Sequence, residues 1–241
     1  MSKIKISAVS YTNTKPFIYG LEHSEIINKI DLSLDIPADC AEKLKNNQVD
    51  IGLIPVAEIP NVPGANIVAD YCIGSVGAVN SVFIFSSKHI AEVATVKLDN
   101  QSRTSNNLAR VLLKFHWKKE VVFTTDPQAS TDAIVLIGDR TFGKSGEFAF
   151  AYDMGREWLD FTGLPFVYAA WVANKAIARD FVDEFNKALA FGLSKRTTVL
   201  ADLPTHKDFD LQDYFFHKLD FELTSEKRQA LELFLAYISK L

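Results

Sequence analysis

The sequence predicts an α/β protein of two lobes, each a mixed or parallel sheet flanked by helices, with a ligand cleft between the lobes. Two observations predict this. Residues 4–54 read strand, helix, strand, helix, strand with short connections, the signature of a parallel sheet covered by helices. A second αβ unit opens with residues 99–115, joined to the first without a flexible linker, and the chain shows no internal repeat.

Ile4, Ile6 and Ala8 begin the first strand, which delivers Ser10-Tyr11-Thr12-Asn13 into a turn. Pro16 suits the first turn of a helix and fixes its own φ, so a short helix to Gly20 follows. Leu32, Leu34 and Ile36 make the next strand, residues 38–47 a helix, and residues 49–54 a buried strand ending at Pro55. Residues 67–87 hold several strand-like pieces, closing on Ser81-Val82-Phe83-Ile84-Phe85. Val93, Thr95, Val96 and Leu98 lead as a strand into a polar loop and a helix whose inward face is Leu108, Leu112 and Phe115, with Val111 beside it. Residues 121–124 and 133–137 read as further parallel strands. Asp153 caps a helix that carries Trp158 and stops at Gly163, and residues 166–173 form another strand.

The tail reads as all helix. Ile177, Phe181, Phe185 and Leu189 fall at four-residue steps, and Leu231, Phe234, Leu235, Ile238 and Leu241 continue the pattern beyond Thr224 and Ser225. The first lobe lacks helical cover, so these helices are expected to pack there. That gives lobe I as residues 1–86 plus 174–241 and lobe II as residues 87–173, with 81–85 and 166–173 as hinge strands.

At 241 residues the chain is long enough for two cores. Its apolar share of 48% and charged share of 23% are those of a soluble globular protein. A formal charge of −4 argues against nucleic-acid binding, which needs a basic patch, but leaves room for a small anion held by local donors. Cys40 and Cys72 stand in no metal or redox spacing, which suggests a reducing compartment. No signal peptide is recognised and no run is long enough to span a membrane, so the expected place is the cytoplasm.

Gly138-Asp139-Arg140-Thr141-Phe142-Gly143-Lys144-Ser145 fits the phosphate-loop spacing G-x-x-x-x-G-K-S. Residues 146–150 make a poor helix start, and the downstream strand ends in Asn174 rather than a magnesium-binding Asp, so the match reads as coincidence. The five histidines (His23, His89, His116, His206, His217) share no loop with a motif and read as solvated. There is no metal-ligand spacing and no nucleophile elbow. Neither a metal nor a cofactor is expected.

Ser102, Thr104 and Ser105 crowd a helix start, where unpaired N–H groups and partial positive charge suit a carboxylate or phosphate. Arg103 adds a planar fork of donors. In an open α/β sheet, ligands sit at the carboxyl ends of strands, which places residues 10–13 and 55–58 at a cleft edge. The polar groups expected to converge there are Ser10, Tyr11, Asn13, Ser81, Arg103, Thr104, Ser105 and Asp139. Such a set is rich in hydroxyl and amide donors, and it orients an anionic organic molecule better than it hydrolyses one.

Five blocks carry a resemblance: residues 10–17 (Ser-Tyr-Thr-Asn-Thr-Lys-Pro-Phe), 49–56, 102–105, 136–139 and 162–167. Together they resemble the chorismate dehydratase family, which opens the futalosine route to menaquinone. The likeness runs over residues 4–175; the C-terminal helices match only in character. It implies a fold similar to a type II periplasmic binding protein. A sister family, the 1,4-dihydroxy-6-naphthoate synthases, usually carries a His-Glu pair where this chain has Gly138-Asp139, a departure that favours the dehydratase. Thr12 stands where many members have Leu.

The implied reaction is loss of water from chorismate to give 3-[(1-carboxyvinyl)oxy]benzoate. On this resemblance Thr104 and Ser105, with their backbone N–H groups, hold a substrate carboxylate, and Arg103 either reaches a carboxylate or braces the loop. Asn13 sits by the reacting ring, Ser81 bonds a second carboxylate or hydroxyl, and Ser10, Tyr11 and Gly138 complete the substrate contacts. The base is Asp139 or a carboxylate of the substrate itself. The alternatives are the sister synthase activity and a non-catalytic cytoplasmic solute-binding protein. Monomer and homodimer both remain open.

Overall fold

In the computed structural model, which describes residues 3–241, the alternation at Ile4, Ile6 and Ala8 becomes β1 (Ile4–Val9). It is followed by α1 (Lys15–Glu22), β2 (Ile30–Asp35), α2 (Pro37–Lys45) and β3 (Ile51–Pro55). Both helices carry Pro in their first turn, where the missing N–H has no intrahelical acceptor to lose. β1 pairs in parallel with β2 on one side and β3 on the other. Every residue of β3 is buried, as in a parallel sheet covered on both faces.

Beyond β3 come β4 (Asn66–Ser75), β5 (Val82–Ser86), β6 (Thr95–Lys97) and α3 (Arg103–Val111), which runs on as a π-helical turn, Leu112–His116. β7 (Val122–Thr124), β8 (Ala133–Ile137), β9 (Phe150–Asp153), α4 (Met154–Thr162) and β10 (Phe166–Ala173) follow. The chain ends with α5 (Arg179–Ser194), α6 (Arg196–Ala201), a single turn α7 (Leu211–Asp213), a second π-helical turn Tyr214–Lys218, β11 (Asp220–Glu222) and α8 (Ser225–Ile238). Two sheets result, one ordered β11-β4-β10-β3-β1-β2, the other β7-β6-β8-β5-β9.

Two compact units emerge. One takes the chain up to Ile73, Tyr168–Thr205 and Phe221–Thr224; the other takes Gly74–Val167, His206–Asp220 and Ser225–Leu241. In the first, Trp171 is fully buried, edge-on to Phe17 and Phe185 at 5.9 and 5.1 Å. Helices α1 and α5 approach closely because both are glycine at the contact: a Cβ on Gly192 would lie 1.9 Å from the Pro16 carbonyl oxygen. In the second, β6 lies parallel to β7 and β8, while β5 is antiparallel to β8 and β9. Asp153 caps α4, and Gly163 ends it at φ 72°.

These units are drawn differently from the expected lobes. Residues 74–86 belong with the second unit, where β5 lies inside the sheet rather than acting as a hinge strand. The last helix also belongs there, because Phe234 packs on Phe166 and Trp158, with ring centres 4.9 and 5.8 Å away. The tail is not all helix: Asp-Phe-Glu at 220–222 forms β11 at the sheet edge next to β4. β9 was also unforeseen. No helix among the described residues is long and apolar enough to cross a membrane.

Candidate functional site

Six of the anticipated site residues stand on three connections of the second unit. Ser102 has extended backbone, and its Oγ accepts from the Ser105 N–H at 3.1 Å, so α3 starts there. The same Oγ donates to Ser105 Oγ at 2.9 Å. Thr104 and Ser105 are buried, whereas Arg103 is exposed. This corrects one expectation. The Ser105 N–H is taken by the cap, so what Ser105 retains for a ligand is its hydroxyl proton.

After β8 the chain turns at Gly138, where φ is 64°, a region that costs a residue with a Cβ. The Gly138 N–H donates to the Ser81 carbonyl at 2.8 Å, and its carbonyl accepts from Thr141 Oγ1 at 2.8 Å. Asp139 is exposed in the resulting short 3-10 turn, Gly138–Thr141. Ser81 itself is buried just before β5, and its Oγ accepts from Tyr214 Oη at 2.8 Å. Because β5 runs antiparallel to β8, with Val82 opposite Ile137, the start of β5 meets the end of β8. Ser81, Arg103, Thr104, Ser105, Gly138 and Asp139 therefore stand along one edge of this sheet, at the carboxyl ends of β6 and β8.

Sequence reasoning missed what locks these connections together. Asp99, with its side chain fully buried, accepts twice from Arg140 Nη2, at 2.7 and 2.9 Å, and once from the Gln101 N–H at 2.7 Å. The Asn106 amide clasps the Asp99 backbone from both sides. The Asp99–Arg140 pair thus ties the loop before α3 to the turn after β8. A second tie is Asp153, whose carboxylate accepts from the Val79 and Asn80 N–H groups as well as from Gly155 and Arg156. It fixes the approach to Ser81. The caps could be found in the sequence by local spacing; neither long-range tie could.

The remaining anticipated residues lie in the first unit, at the carboxyl end of β1. Exposed Ser10 donates its N–H to the Asp35 carbonyl at 2.9 Å. Half-buried Tyr11 opens the 3-10 turn Thr12–Thr14, and Asn13 Oδ1 accepts from Thr14 Oγ1 at 3.1 Å. Behind them the Asp35 carboxylate accepts from Lys43, Ser7 and Ser33. Burial raises the Asp35 pKa, but the Lys43 ammonium and the two hydroxyls outweigh it and hold the group below the usual carboxylate range. The anticipated residues therefore form two groups, one on each unit.

The phosphate-loop match does not build a cradle. Gly143 sits at φ 73° and Lys144–Glu147 is a 3-10 turn, with Lys144 paired to Glu147 at 3.1 Å. The adjoining cavity, about 310 Å³, is walled by Asp208, Asp210 and Asp213, the wrong charge for a phosphate. Among the described residues no group of three or more His, Cys, Asp or Glu is placed to hold a metal ion. His116 is not simply solvated; it is half-buried, with Nε2 3.3 Å from the Glu157 carboxylate.

Known structures share this architecture at low sequence identity. A protein of Archaeoglobus fulgidus is similar with a TM-score of 0.73 and 13% identity, over 99% of this chain and 97% of that one. A Parabacteroides distasonis protein described as an ABC transporter gives 0.69 and 16%, over 100% and 93%. A Candida albicans protein described as having the generic periplasmic-binding-protein fold gives 0.62 and 10%, over 100% and 94%. The fold is thus periplasmic-binding-protein-like, two lobes of mixed sheet flanked by helices. A model of the family described as menaquinone biosynthesis matches residues 4–240, and the chain belongs to that family.

Proposed function

We propose that the protein is a chorismate dehydratase, releasing water from chorismate to give 3-[(1-carboxyvinyl)oxy]benzoate. The observation that carries this reading is the edge of the second unit's sheet. There a capped helix start with buried Thr104 and Ser105, and the Gly138 turn, are locked to one another by Asp99–Arg140. Preset hydroxyl donors suit the carboxylate of a small diacid.

In this reading a ring C–H loses its proton, the neighbouring hydroxyl leaves with the bonding electron pair, and the two combine as water. The new double bond completes an aromatic ring, so the step is strongly downhill. What the protein supplies is carboxylate binding and orientation. Thr104 and the Ser105 hydroxyl hold one carboxylate, with Arg103 reaching it from the exposed side or bracing the loop. Ser81 bonds a second carboxylate or hydroxyl, and Asn13 orients the departing hydroxyl or polarises the diene. Ser10, Tyr11 and Gly138 complete the substrate contacts. Asp139 or a substrate carboxylate takes the proton. A cytoplasmic location goes with this reading.

Gly138 favours the dehydratase over the sister synthase. Its left-handed backbone suits glycine better than the His that the sister family usually carries at this place. Incubation with chorismate should produce an aromatic product, read by its ultraviolet absorbance. Binding without turnover would instead favour the non-catalytic solute-binding reading. Asn13→Ala and Asp139→Asn, assayed separately, test the assigned roles; full turnover in both would remove the protein base and the role of Asn13.

A further inference from the structure

We infer that Tyr214 is a positioning residue that sets the direction in which Ser81 donates its hydroxyl proton. Its phenol, fully buried on the π-helical turn after α7, donates to Ser81 Oγ at 2.8 Å. An Oγ that accepts there keeps its own proton for a different acceptor. Ser81 is also held from behind, its carbonyl accepting from the Gly138 N–H. The serine on the edge assigned to the substrate in the dehydratase reading is therefore presented as a donor, the polarity that a carboxylate or hydroxyl oxygen requires.

Tyr214 is itself held by rings. Phe142, Phe209 and Phe215 stand around it with ring centres 5.6, 5.2 and 5.9 Å away, and Phe209 stacks on Phe142 at 3.8 Å. Phe142 closes the turn that begins at Gly138. The segment 206–218 thus braces Ser81 through a hydroxyl and the Gly138 turn through aromatic packing. These contacts give residues remote in sequence from every anticipated site residue a part in preparing that site.

The ligand in this inference rests on the dehydratase reading; the orientation of Ser81 does not. Tyr214→Phe removes one oxygen and keeps the ring packing. A crystal structure of that variant should show Ser81 Oγ spread over more than one rotamer; a single unchanged rotamer overturns the inference. With chorismate as probe, Tyr214→Phe and Ser81→Ala should each weaken binding about fivefold, the worth of one hydrogen bond. The double variant should be no weaker than Ser81→Ala to within a factor of about 2, because the tyrosine acts through the serine. A loss of about 25-fold, the product of the two, would likewise overturn it. If the wild-type protein binds no chorismate, the dehydratase reading falls, and the Ser81 rotamer alone decides the inference.

Discussion

Replacing Arg140 by Met tests whether the Asp99–Arg140 tie holds the second unit's site together. The Asp99 side chain is 0% exposed and the Arg140 side chain 36%. Removing one member of a buried ion pair costs about 3–5 kcal/mol, because the remaining charge is stranded without water. Here the guanidinium is partly solvated, so part of its attraction is already screened, and Asp99 keeps the Gln101 N–H. The expected loss for Arg140→Met is therefore about 2–3 kcal/mol. Asp99→Asn keeps an acceptor for Gln101 and leaves Arg140 its partial solvation, so about 1 kcal/mol is expected. The double variant should fall short of the sum by about 1 kcal/mol or more, since the stranded charge is gone. Urea unfolding at pH 7 reads all three from the midpoints, and the ranking should survive molar salt because the carboxylate is shielded from ions. An Arg140→Met variant as stable as wild type, or fully additive losses, would refute the reasoning.

The close approach of α1 and α5 predicts that Gly192→Ala destabilises by about 3 kcal/mol, since the new methyl would overlap the Pro16 carbonyl and neither backbone can yield cheaply; a midpoint within about 0.5 kcal/mol of wild type would sink it. Burial pushes the Cys40 thiol up to about 12, so in a Cys72→Ser background the native protein should resist a thiol-disulfide reagent at pH 8 and react once unfolded. Rapid stoichiometric labelling of the native form would contradict this. The Asp35 carboxyl is held below its ordinary value in the folded chain, so its contribution is complete above about pH 4 and disappears as pH falls through the depressed folded value. Asp35→Asn should flatten that part of the acid limb of stability, and an unchanged limb would count against the Lys43–Asp35 network. Gly138→Ala should raise KM for chorismate and lower stability by about 1 kcal/mol, the cost of a Cβ in a left-handed turn.

What local spacing encodes was legible in the sequence. The opening alternation of strand and helix, the helix start crowded by Ser102, Thr104 and Ser105, Asp153 as a cap, Gly163 as a stop, and the strand at residues 133–137 all stand where short-range chemistry puts them. Partner choice was not legible. A helix period shows that α8 has an apolar face, but not that Phe234 would meet Trp158 and Phe166. Three residues, Asp220 to Glu222, are too few to show a strand period, so β11 was hidden. The decisive site contacts join residues 41 and 133 positions apart, Asp99 with Arg140 and Ser81 with Tyr214, and no spacing rule reaches that far.

The helix start teaches a narrower point. Ser102 and Ser105 look from sequence like one supply of donors for an anion, yet a cap and an anion compete for the same N–H groups. Once Ser102 takes the Ser105 N–H, the helix is well begun and one backbone donor is spent. In the proposed dehydratase, carboxylate recognition then leans on hydroxyls, whose protons rotate and need fixing from behind. Two of the contacts missed from the sequence do that work: Asp99–Arg140 fixes the loop that bears the hydroxyls, and Tyr214 fixes the direction of Ser81. A capped helix start is therefore best judged by which of its donors remain after the cap is made, and by what lies behind them.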